Sequence, residues 1–314
     1  MAGGQERILR RRIRSVQSTK KITRAMELIA ASRIVKAQAR VQAAVPYSEQ
    51  ITEAVRDLAA AGGGIESPFL GLRDEIRRVG YVVVTADRGL CGAYNASVIR
   101  AAEGAIKDDA ESRRDYDLVL VGRKAQSYFR FREYRIDSAF TGFSETPSYD
   151  DARRIGETVV ERYLDGGIDR AELVYTRFVS AGSQEVVQRP LLPLEAELLR
   201  GGDARPGTDG VAPAYDFEPS PDVLLERLLP RYVEARIYAA LLNAAASEQA
   251  ARQRAMKAAT DNADELITKL TRVMNRARQD AITTEIMEIV GGAEALRPDT
   301  DHDDLVLTTP RSTE

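Results

Sequence analysis

A chain of 314 residues that is 44% hydrophobic and 30% charged is long enough to bury a core and to form more than one structural unit. It contains no apolar run of the roughly 18 residues that span a bilayer, and no apolar segment follows the cations at its start, so we expect neither a secreted nor an integral membrane protein. One cysteine, Cys91, and one histidine, His302, exclude an internal disulfide and almost exclude a His/Cys metal site.

The first forty residues form a strongly basic segment, with 11 lysines and arginines against two acids, Glu6 and Glu27. Neither glycine nor proline occurs from residue 5 to residue 45, which permits one uninterrupted helix of about 60 Å. We place this N-terminal helix at residues 1–60. Apolar residues recur in steps of three and four and predict a coiled-coil seam formed by Leu9, Ile13, Val16, Ile22, Met26 and Ile29.

The cations of this segment surround the predicted helix, because residues 10, 11, 12 and 14 cannot share one face with residues 20, 21 and 24. A nucleic acid or an anionic lipid would be bound best by a single basic stripe. An acidic protein partner is therefore favoured, and a face that is merely solvated remains the alternative.

Residues 78–217 alternate β-branched runs with helical patterns and predict a Rossmann-like α/β domain. The predicted strands are residues 78–87, 116–122, 171–180 and 185–192. Helices are expected to begin near Asn95, Arg123 and Ser148.

The segment TADRGLCGAYNAS, residues 85–97, follows the first predicted strand and opens the first helix of this domain. Dinucleotide-binding folds hold a phosphate at this position, and Arg88 would neutralise its charge. The segment lacks both G-x-G-x-x-G and G-x-x-x-x-G-K-[ST], so a partner-contact loop or a tight turn explains it better than a nucleotide site.

The C-terminal part predicts one long helix over residues 221–296, with Ser220 as its N-cap, Pro221 in its first turn and a kink at Pro230. Steps of three and four again predict a seam, formed by Met256, Ala259, Ala263, Leu266, Leu270, Val273 and Ala277. Two such long helices predict an antiparallel coiled coil. Residues 297–314 hold five acids and two prolines and predict a disordered, solvated tail.

Catalytic chemistry has little support in the sequence. His302 lies in the predicted tail, Cys91 has no imidazole to activate it, and the acids form no pattern that singles out a pair. We expect no catalytic residues, no metal site and no cofactor in this chain.

Five segments, in order along the chain, carry a family resemblance. They are RIRSVQSTKKITRAMELIAASR, RVGYVVVTADRGLCGAYN, LLPLE, YDFEPSPDVLLERLLPRYVEARIY and NAAASEQAARQRAMKAATDNADELITKLTRVMNRARQDAITTEIMEIVGGAEAL. Together they extend over residues 1–296 and resemble the gamma subunit of the F-type ATP synthase, which is the central rotor shaft.

The resemblance implies a shaft of two antiparallel helices whose tip lies inside a ring of three alpha and three beta subunits, and which couples proton flow through a membrane c-ring to ATP synthesis and hydrolysis. Contacts with the beta subunits are implied for Lys20, Lys21, Arg24, Met26, Arg88, Cys91, Arg278, Gln279, Thr283 and Glu285. Phe217 and Glu218 match the foot of the shaft, which meets the c-ring and the epsilon subunit. The chain would be a single-copy, non-catalytic subunit, peripheral on the cytoplasmic face of a bacterial plasma membrane.

The residues alone leave two other hypotheses open: an autonomous nucleotide-binding α/β enzyme with helical arms, and a coiled-coil scaffold or nucleic-acid binder. The sequence also departs from the family pattern at two points. Residues 297–314 extend past GGAEAL, and a cysteine-bearing insertion of the chloroplast kind is absent, which argues against thiol control of rotation.

Overall fold

A computed structural model of the chain describes residues 2–61, 69, 73, 75–194, 218 and 220–296. The predicted tail at 297–314 lies outside the described residues. In chain order the elements are α1 (Ala2–Ala61), β1 (Arg78–Val84), α2 (Tyr94–Glu111), β2 (Asp115–Val121), α3 (Arg123–Phe131), β3 (Ser138–Phe140), α4 (Tyr149–Leu164), β4 (Arg170–Phe178), β5 (Gln184–Leu192) and α5 (Pro221–Ala295).

The five strands form one sheet in the order β3-β2-β1-β4-β5. The first four strands are parallel and β5 is antiparallel to β4. The four strands predicted from the sequence are confirmed, and each begins and ends within three residues of its predicted limits. Because β1 and β2 are buried on both faces, their sequences are continuous apolar runs, which made them easy to recognise.

The sheet is covered by helices on both faces. Successive side chains of a strand point to opposite faces, so Tyr81 and Val83 pack with α2 and α3, whereas Val82 and Val84 pack on the other side. That other side is covered by α4, by the C-terminal part of α1 and by the N-terminal part of α5. The predicted Rossmann-like arrangement is confirmed.

The two long helices pack together, which confirms the predicted coiled coil, and the chain divides into two compact units. In the first unit, residues 1–22 and 260–314, the side chains of Ile13, Ala263 and Leu270 are buried on the seam. Lys20 and Asp264 form an ion pair beside it. In the second unit, residues 23–259, α1 and α5 continue and pack beside the sheet domain.

The predicted frame of the seam is wrong over part of each helix. Ile22 and Ile29 are 61% and 53% exposed, whereas Thr23, Glu27 and Ala30 are buried. Steps of three and four from Val16 lead to these buried positions. Because some of them are polar, the prediction followed the neighbouring apolar residues and placed the seam one residue too early in the sequence. The same error applies to Leu266 and Val273 of α5, which are 37% and 45% exposed beside buried or half-buried neighbours.

Both long helices contain an internal proline, Pro46 in α1 and Pro230 in α5. Each proline removes one backbone hydrogen bond, but the helix continues past it in both cases. α5 therefore extends through Pro230, and the kink predicted there stays a prediction. Of the helices in the described ranges, none is both long enough and apolar enough to span a bilayer.

Candidate functional site

Asp87 joins the loops that follow β1, β2 and β3. Its Oδ1 accepts a hydrogen bond from the backbone N–H of Arg123 at 3.2 Å, and its Oδ2 accepts from the N–H groups of Gly142 and Ser144 at 2.9 and 3.1 Å. The Asp87 N–H donates in turn to the Ser144 hydroxyl at 2.9 Å. One carboxylate thus fixes the loops at the carboxyl edge of the parallel strands.

The tip of the β1–α2 loop presents Leu90 and conceals Cys91. Leu90 is 63% exposed with a left-handed φ of 62°, whereas Cys91 is 1% exposed. Asn95 holds the loop from inside, because its Oδ1 accepts from the Ala86 N–H at 2.9 Å and its Nδ2 donates to the Cys91 Sγ at 3.0 Å. Burial raises the pKa of the Cys91 thiol, which therefore stays protonated. Leu90 is the part of this tip that a partner can reach.

An ion-pair network connects this loop to α1. Glu145 pairs with Arg33 of α1 and, at 3.7 Å, with Arg88 of the loop. The Arg88 side chain is 75% exposed, and such open pairs contribute only about 0–1 kcal/mol. Glu145 therefore holds Arg88 weakly, and the guanidinium stays accessible to a carboxylate of another protein.

A buried ion pair on α5 supports the loop from below. Arg252 Nη2 lies 2.6 Å from Glu248 Oε1, and the two side chains are 7% and 1% exposed. Arg252 also donates to the Gly89 carbonyl at 3.4 Å. Burial raises the pKa of Glu248, and the charge of Arg252 opposes this shift. Sequence reasoning missed this pair, although its spacing of four residues in an alanine-rich helix was visible.

The basic residues of α1 are partly neutralised by acids of the same chain. In the first unit, Lys20 pairs with Asp264, while Lys21 is exposed and forms no ion pair with any described residue. In the second unit, Arg24 Nη1 donates to both carboxylate oxygens of Glu27 at 2.9 Å. Met26, predicted to lie on the seam, is half-buried.

The distal part of α5 is exposed around most of its circumference. The four polar residues predicted to contact a partner there are all exposed: Arg278, Gln279, Thr283 and Glu285. Sequence reasoning missed five apolar residues between and beyond them, which are 49–68% exposed: Ile282, Ile286, Met287, Ile289 and Val290. Exposed apolar side chains concentrated in this way are typical of an interaction surface. The run ITTEIMEIV could have revealed this surface, because its apolar residues are too frequent for a helix end that is exposed only to water.

Comparisons with known proteins assign the family. Residues 5–296 match the family described as ATP synthase. The ATP synthase gamma chain of Frankia casuarinae is 52% identical over 297 residues, which cover 93% of this chain and 98% of the relative. That of Kineococcus radiotolerans is 51% identical, with coverage of 93% and 97%. The chain belongs to the ATP synthase gamma chain family.

Solved structures share the fold of this gamma-chain family member. A chain of the Euglena gracilis mitochondrial ATP synthase, from a complex of OSCP, F1 and c-ring, matches with a TM-score of 0.67 at 18% identity and covers 96% of this chain and 99% of its own length. A chain of the Tetrahymena thermophila central stalk and c-ring matches with a TM-score of 0.59 at 24% identity, covering 76% and 99%. At these identities the likeness shows the fold, and the family assignment rests on the sequence relatives.

The two residues expected at the foot of a gamma chain are only partly described. Glu218 is exposed in a bend before α5, and Phe217 lies outside the described residues. Within the part of the chain that the structure describes, no three His, Cys, Asp or Glu side chains are grouped as metal ligands.

Proposed function

We propose that the chain is the central-stalk rotor subunit of an F-type ATP synthase, and that it mechanically couples proton flow through a membrane c-ring to ATP synthesis and hydrolysis in a head of three alpha and three beta subunits. The observation that carries this proposal is the exposed distal end of α5, where the apolar Ile286 and Met287 lie about two turns beyond the polar Arg278 and Gln279. Such an end requires a covering protein, and a ring of subunits around it supplies one.

The coupling follows from the asymmetry of one shaft among three equivalent catalytic subunits. A single chain cannot contact all three alike, so each orientation of the shaft favours a different conformation in each of them. Turning the shaft then moves every catalytic subunit through substrate binding, synthesis and release in sequence. The mechanism requires contacts that differ between subunits but that are not permanent.

The charged residues of α1 suit contacts that form and break. Exposed ion pairs contribute about 0–1 kcal/mol each, so they do not hold the shaft in one orientation. Lys20 and Arg24 have internal partners, Asp264 and Glu27, which satisfy these cations between encounters with acidic levers of the beta subunits. Lys21 has no described ion-pair partner and is open to them throughout.

The remaining contacts divide among three places on the chain. We assign Arg88 and Leu90 to the beta levers, with Cys91 as the internal support of their loop and Met26 beside the seam. The polar catch against beta is Arg278, Gln279, Thr283 and Glu285. Glu218 and Phe217 belong to the foot, which meets the c-ring and the epsilon subunit.

The chain itself supplies no catalytic residue, cofactor site or nucleic-acid site in this proposal. It is present in one copy and is peripheral on the cytoplasmic face of a bacterial plasma membrane, which it contacts only through the c-ring. ATP turnover therefore belongs to the alpha and beta subunits.

Reconstitution tests the proposal. The isolated full-length chain is expected to hydrolyse no ATP, but its addition to alpha and beta subunits, and then to c-ring membranes, is expected to restore proton-coupled ATPase. ATPase activity and proton pumping are measured on the same preparation. ATP turnover by the chain alone, or failure to assemble with alpha and beta, would contradict the proposal.

The role of the cations is tested separately by two variants. Lys21→Glu reverses an unpaired charge, whereas the double change Lys20→Asp with Asp264→Lys keeps an internal ion pair and moves the cation to α5. Both are expected to lower pumping per ATP with little change in the unfolding temperature. Arg100→Glu, at an exposed position of α2, is the matched control. If both variants pump protons as well as the control, the acidic levers of the beta subunits do not contact these lysines.

A further inference from the structure

A cavity of about 400 Å³ lies where the carboxyl ends of β1 and β4 meet α2 and α5. It is bordered by the first turn of α2, with Tyr94 and Ser97, by Thr176 of β4, and by Arg254 of α5. Ala251 and Ala255 of α5 form part of its wall, and their small side chains leave the space open. All these residues belong to the unit formed by residues 23–259.

The topology of the sheet makes this a favoured place for a ligand. The connections through α2 and α3 run from β1 towards β2 and β3, whereas β4 lies on the opposite side of β1. Neighbouring parallel strands whose connections leave in opposite directions open a crevice at their carboxyl ends, and ligands of open α/β sheets bind there. α5 covers part of this crevice, and the cavity is the part that its side chains do not fill.

The first turn of α2 borders this space. Its Tyr94 and Ser97 N–H groups already donate to the Cys91 and Ala93 carbonyls at 3.3 and 2.8 Å, which leaves the N–H groups of residues 95 and 96 as donors for a ligand. The helix has 18 residues, and its N-cap, Ala93, has no side chain that could accept from the first-turn N–H groups. The positive end of the helix dipole adds to these donors and favours an anion. The hydroxyl groups of Tyr94 and Ser97 come from the same turn.

Arg254 adds an uncompensated positive charge. Its guanidinium donates to the Ala181 carbonyl at 2.7 Å and to the side-chain oxygen of Gln184. Both acceptors are neutral, and among the described residues no carboxylate forms an ion pair with Arg254. No carboxylate is among the described residues that line the cavity.

Thr176 supplies an independent indication of a missing partner. This residue is 4% exposed and lines the cavity, and its Oγ1 is buried with no hydrogen-bond partner among the described residues. Buried hydroxyl groups in native proteins are normally hydrogen-bonded. The Oγ1 has almost no accessible surface in this rotamer, so a ligand oxygen would satisfy it after a rotation about χ1 that exchanges the hydroxyl with the methyl group.

The other ionisable groups near the cavity do not repel an anion. Cys91 lines it as a neutral thiol, because burial raises its pKa. Glu248, the nearest buried acid on α5, is paired with Arg252 at 2.6 Å. The local balance of charge is therefore positive.

We propose that this cavity binds an oxyanion of the phosphate class, held by Arg254, by the N-terminus of α2 and by the hydroxyl groups of Tyr94, Ser97 and Thr176. The site uses a helix N-terminus without the glycine-rich loop motifs whose absence disfavoured a nucleotide site in the sequence. It goes beyond the rotor function and does not depend on it, because it concerns binding by the chain alone.

Binding is tested on the full-length chain with sodium phosphate, against sodium chloride at equal ionic strength so that general screening cancels. Calorimetry gives the affinity, and amide NMR of Tyr94–Ser97 locates the site. Saturable binding of phosphate with shifts at these amides is expected. An equal response to phosphate and chloride, or binding that leaves these amides unchanged, would overturn the proposal.

Two variants connect the binding to the cavity. Thr176→Val and Arg254→Gln are each expected to weaken phosphate binding about tenfold or more, as loss of a hydrogen bond or charge at an anion predicts. The matched controls are two changes in α4, Thr158→Val at a half-buried hydroxyl outside the cavity and Arg153→Gln at an exposed guanidinium. Unchanged affinity in both cavity variants would contradict the assignment, and if either variant fails to fold, the amide shifts of the unmodified chain decide.

A parallel titration with ATP in the absence of divalent metal identifies the source of the anion. Tighter, Thr176-dependent binding of ATP than of phosphate assigns the site to a nucleotide phosphate. Thr176-dependent binding of phosphate alone assigns it to the free anion. Either result supports the proposed site. If neither ATP nor phosphate binds in a Thr176-dependent way, the proposal is wrong.

Discussion

Asp169 links the entry of β1 to the entry of β4. Its Oδ2 accepts from the backbone N–H groups of Arg77 and Arg78 at 2.8 and 2.9 Å, and its Oδ1 accepts from Arg73 at 2.7 Å. Burial alone would raise the pKa of Asp169, but these donors outweigh it and lower the pKa below its usual value. The carboxylate therefore stabilises the fold above the unfolded pKa, near pH 4, and this contribution is lost as the pH falls through the lower folded pKa.

We expect Asp169→Asn to lower the free energy of unfolding by about 1–3 kcal/mol at pH 7, because it removes hydrogen bonds to a charged acceptor. The difference from the unmodified chain should shrink as the pH falls below about 4, because the carboxylate is then protonated first in the unfolded chain and, at the lower folded pKa, in the native chain as well. Urea unfolding at a series of pH values measures this, with the exposed Asp108→Asn as control. A difference that stays constant down to pH 2 would show that the charge of Asp169 is not responsible.

The Glu248–Arg252 pair gives a second test at the scale of single residues. Removal of one partner of a buried pair leaves an uncompensated charge and costs about 3–5 kcal/mol, whereas apolar replacement of both is often neutral. We expect Arg252→Met to destabilise the chain strongly and Glu248→Leu with Arg252→Met to recover most of the loss. The free energy of unfolding is measured for the single and double variants. Equal loss in both would mean that packing, not charge, determines the cost.

At the scale of elements, the spacing of apolar residues along a helix was predicted correctly, but the face that the helix buries was not. The buried strands β1 and β2 were recognisable because each has an apolar run that no loop would carry, whereas the three-residue β3 has no such pattern. In α1 the step of three and four was predicted correctly, but Thr23 and Glu27 occupy buried positions and hid the frame. Which face a helix buries depends on its neighbours, and local sequence does not contain them.

The same limit applies to the candidate site. The β1–α2 loop could be located because it follows a strand and opens a helix. The orientation of Cys91 could not be predicted, since it depends on Asn95 and on the contact with α5. The Glu248–Arg252 pair likewise acquires its role only when Arg252 lies under Gly89.

The observed seam is tested by two neighbouring substitutions in α1. Ala30 is fully buried, so Ala30→Leu should overpack the helix contact and cost about 1–3 kcal/mol. Ile29 is 53% exposed, so Ile29→Ala should change the free energy of unfolding by no more than about 0.5 kcal/mol. Denaturant unfolding of both variants measures the costs, and the reverse order would restore the frame that places Ile29 on the seam.

At the scale of the whole molecule, the surfaces that do not contribute to folding are the ones that assembly can use. The chain has a net charge of only −3, but its first forty residues hold 11 cations against two acids, and five exposed apolar residues lie within residues 282–290 of α5. The relatives that share this sequence over nearly their whole length are ATP synthase gamma chains. A subunit of a larger complex can retain exposed apolar residues, because its partners bury them.

This separation of folding from assembly gives the last prediction. Ile286 and Met287 are 54% and 68% exposed, so Ile286→Asn with Met287→Gln should alter the free energy of unfolding of the isolated chain by about 0.5 kcal/mol or less. Because the proposed subunit ring buries both side chains, co-purification with alpha and beta subunits should weaken markedly. The exposed neighbour Glu288→Gln is the matched control. A double variant that assembles and pumps as well as this control would mean that the apolar end of α5 does not contact the ring.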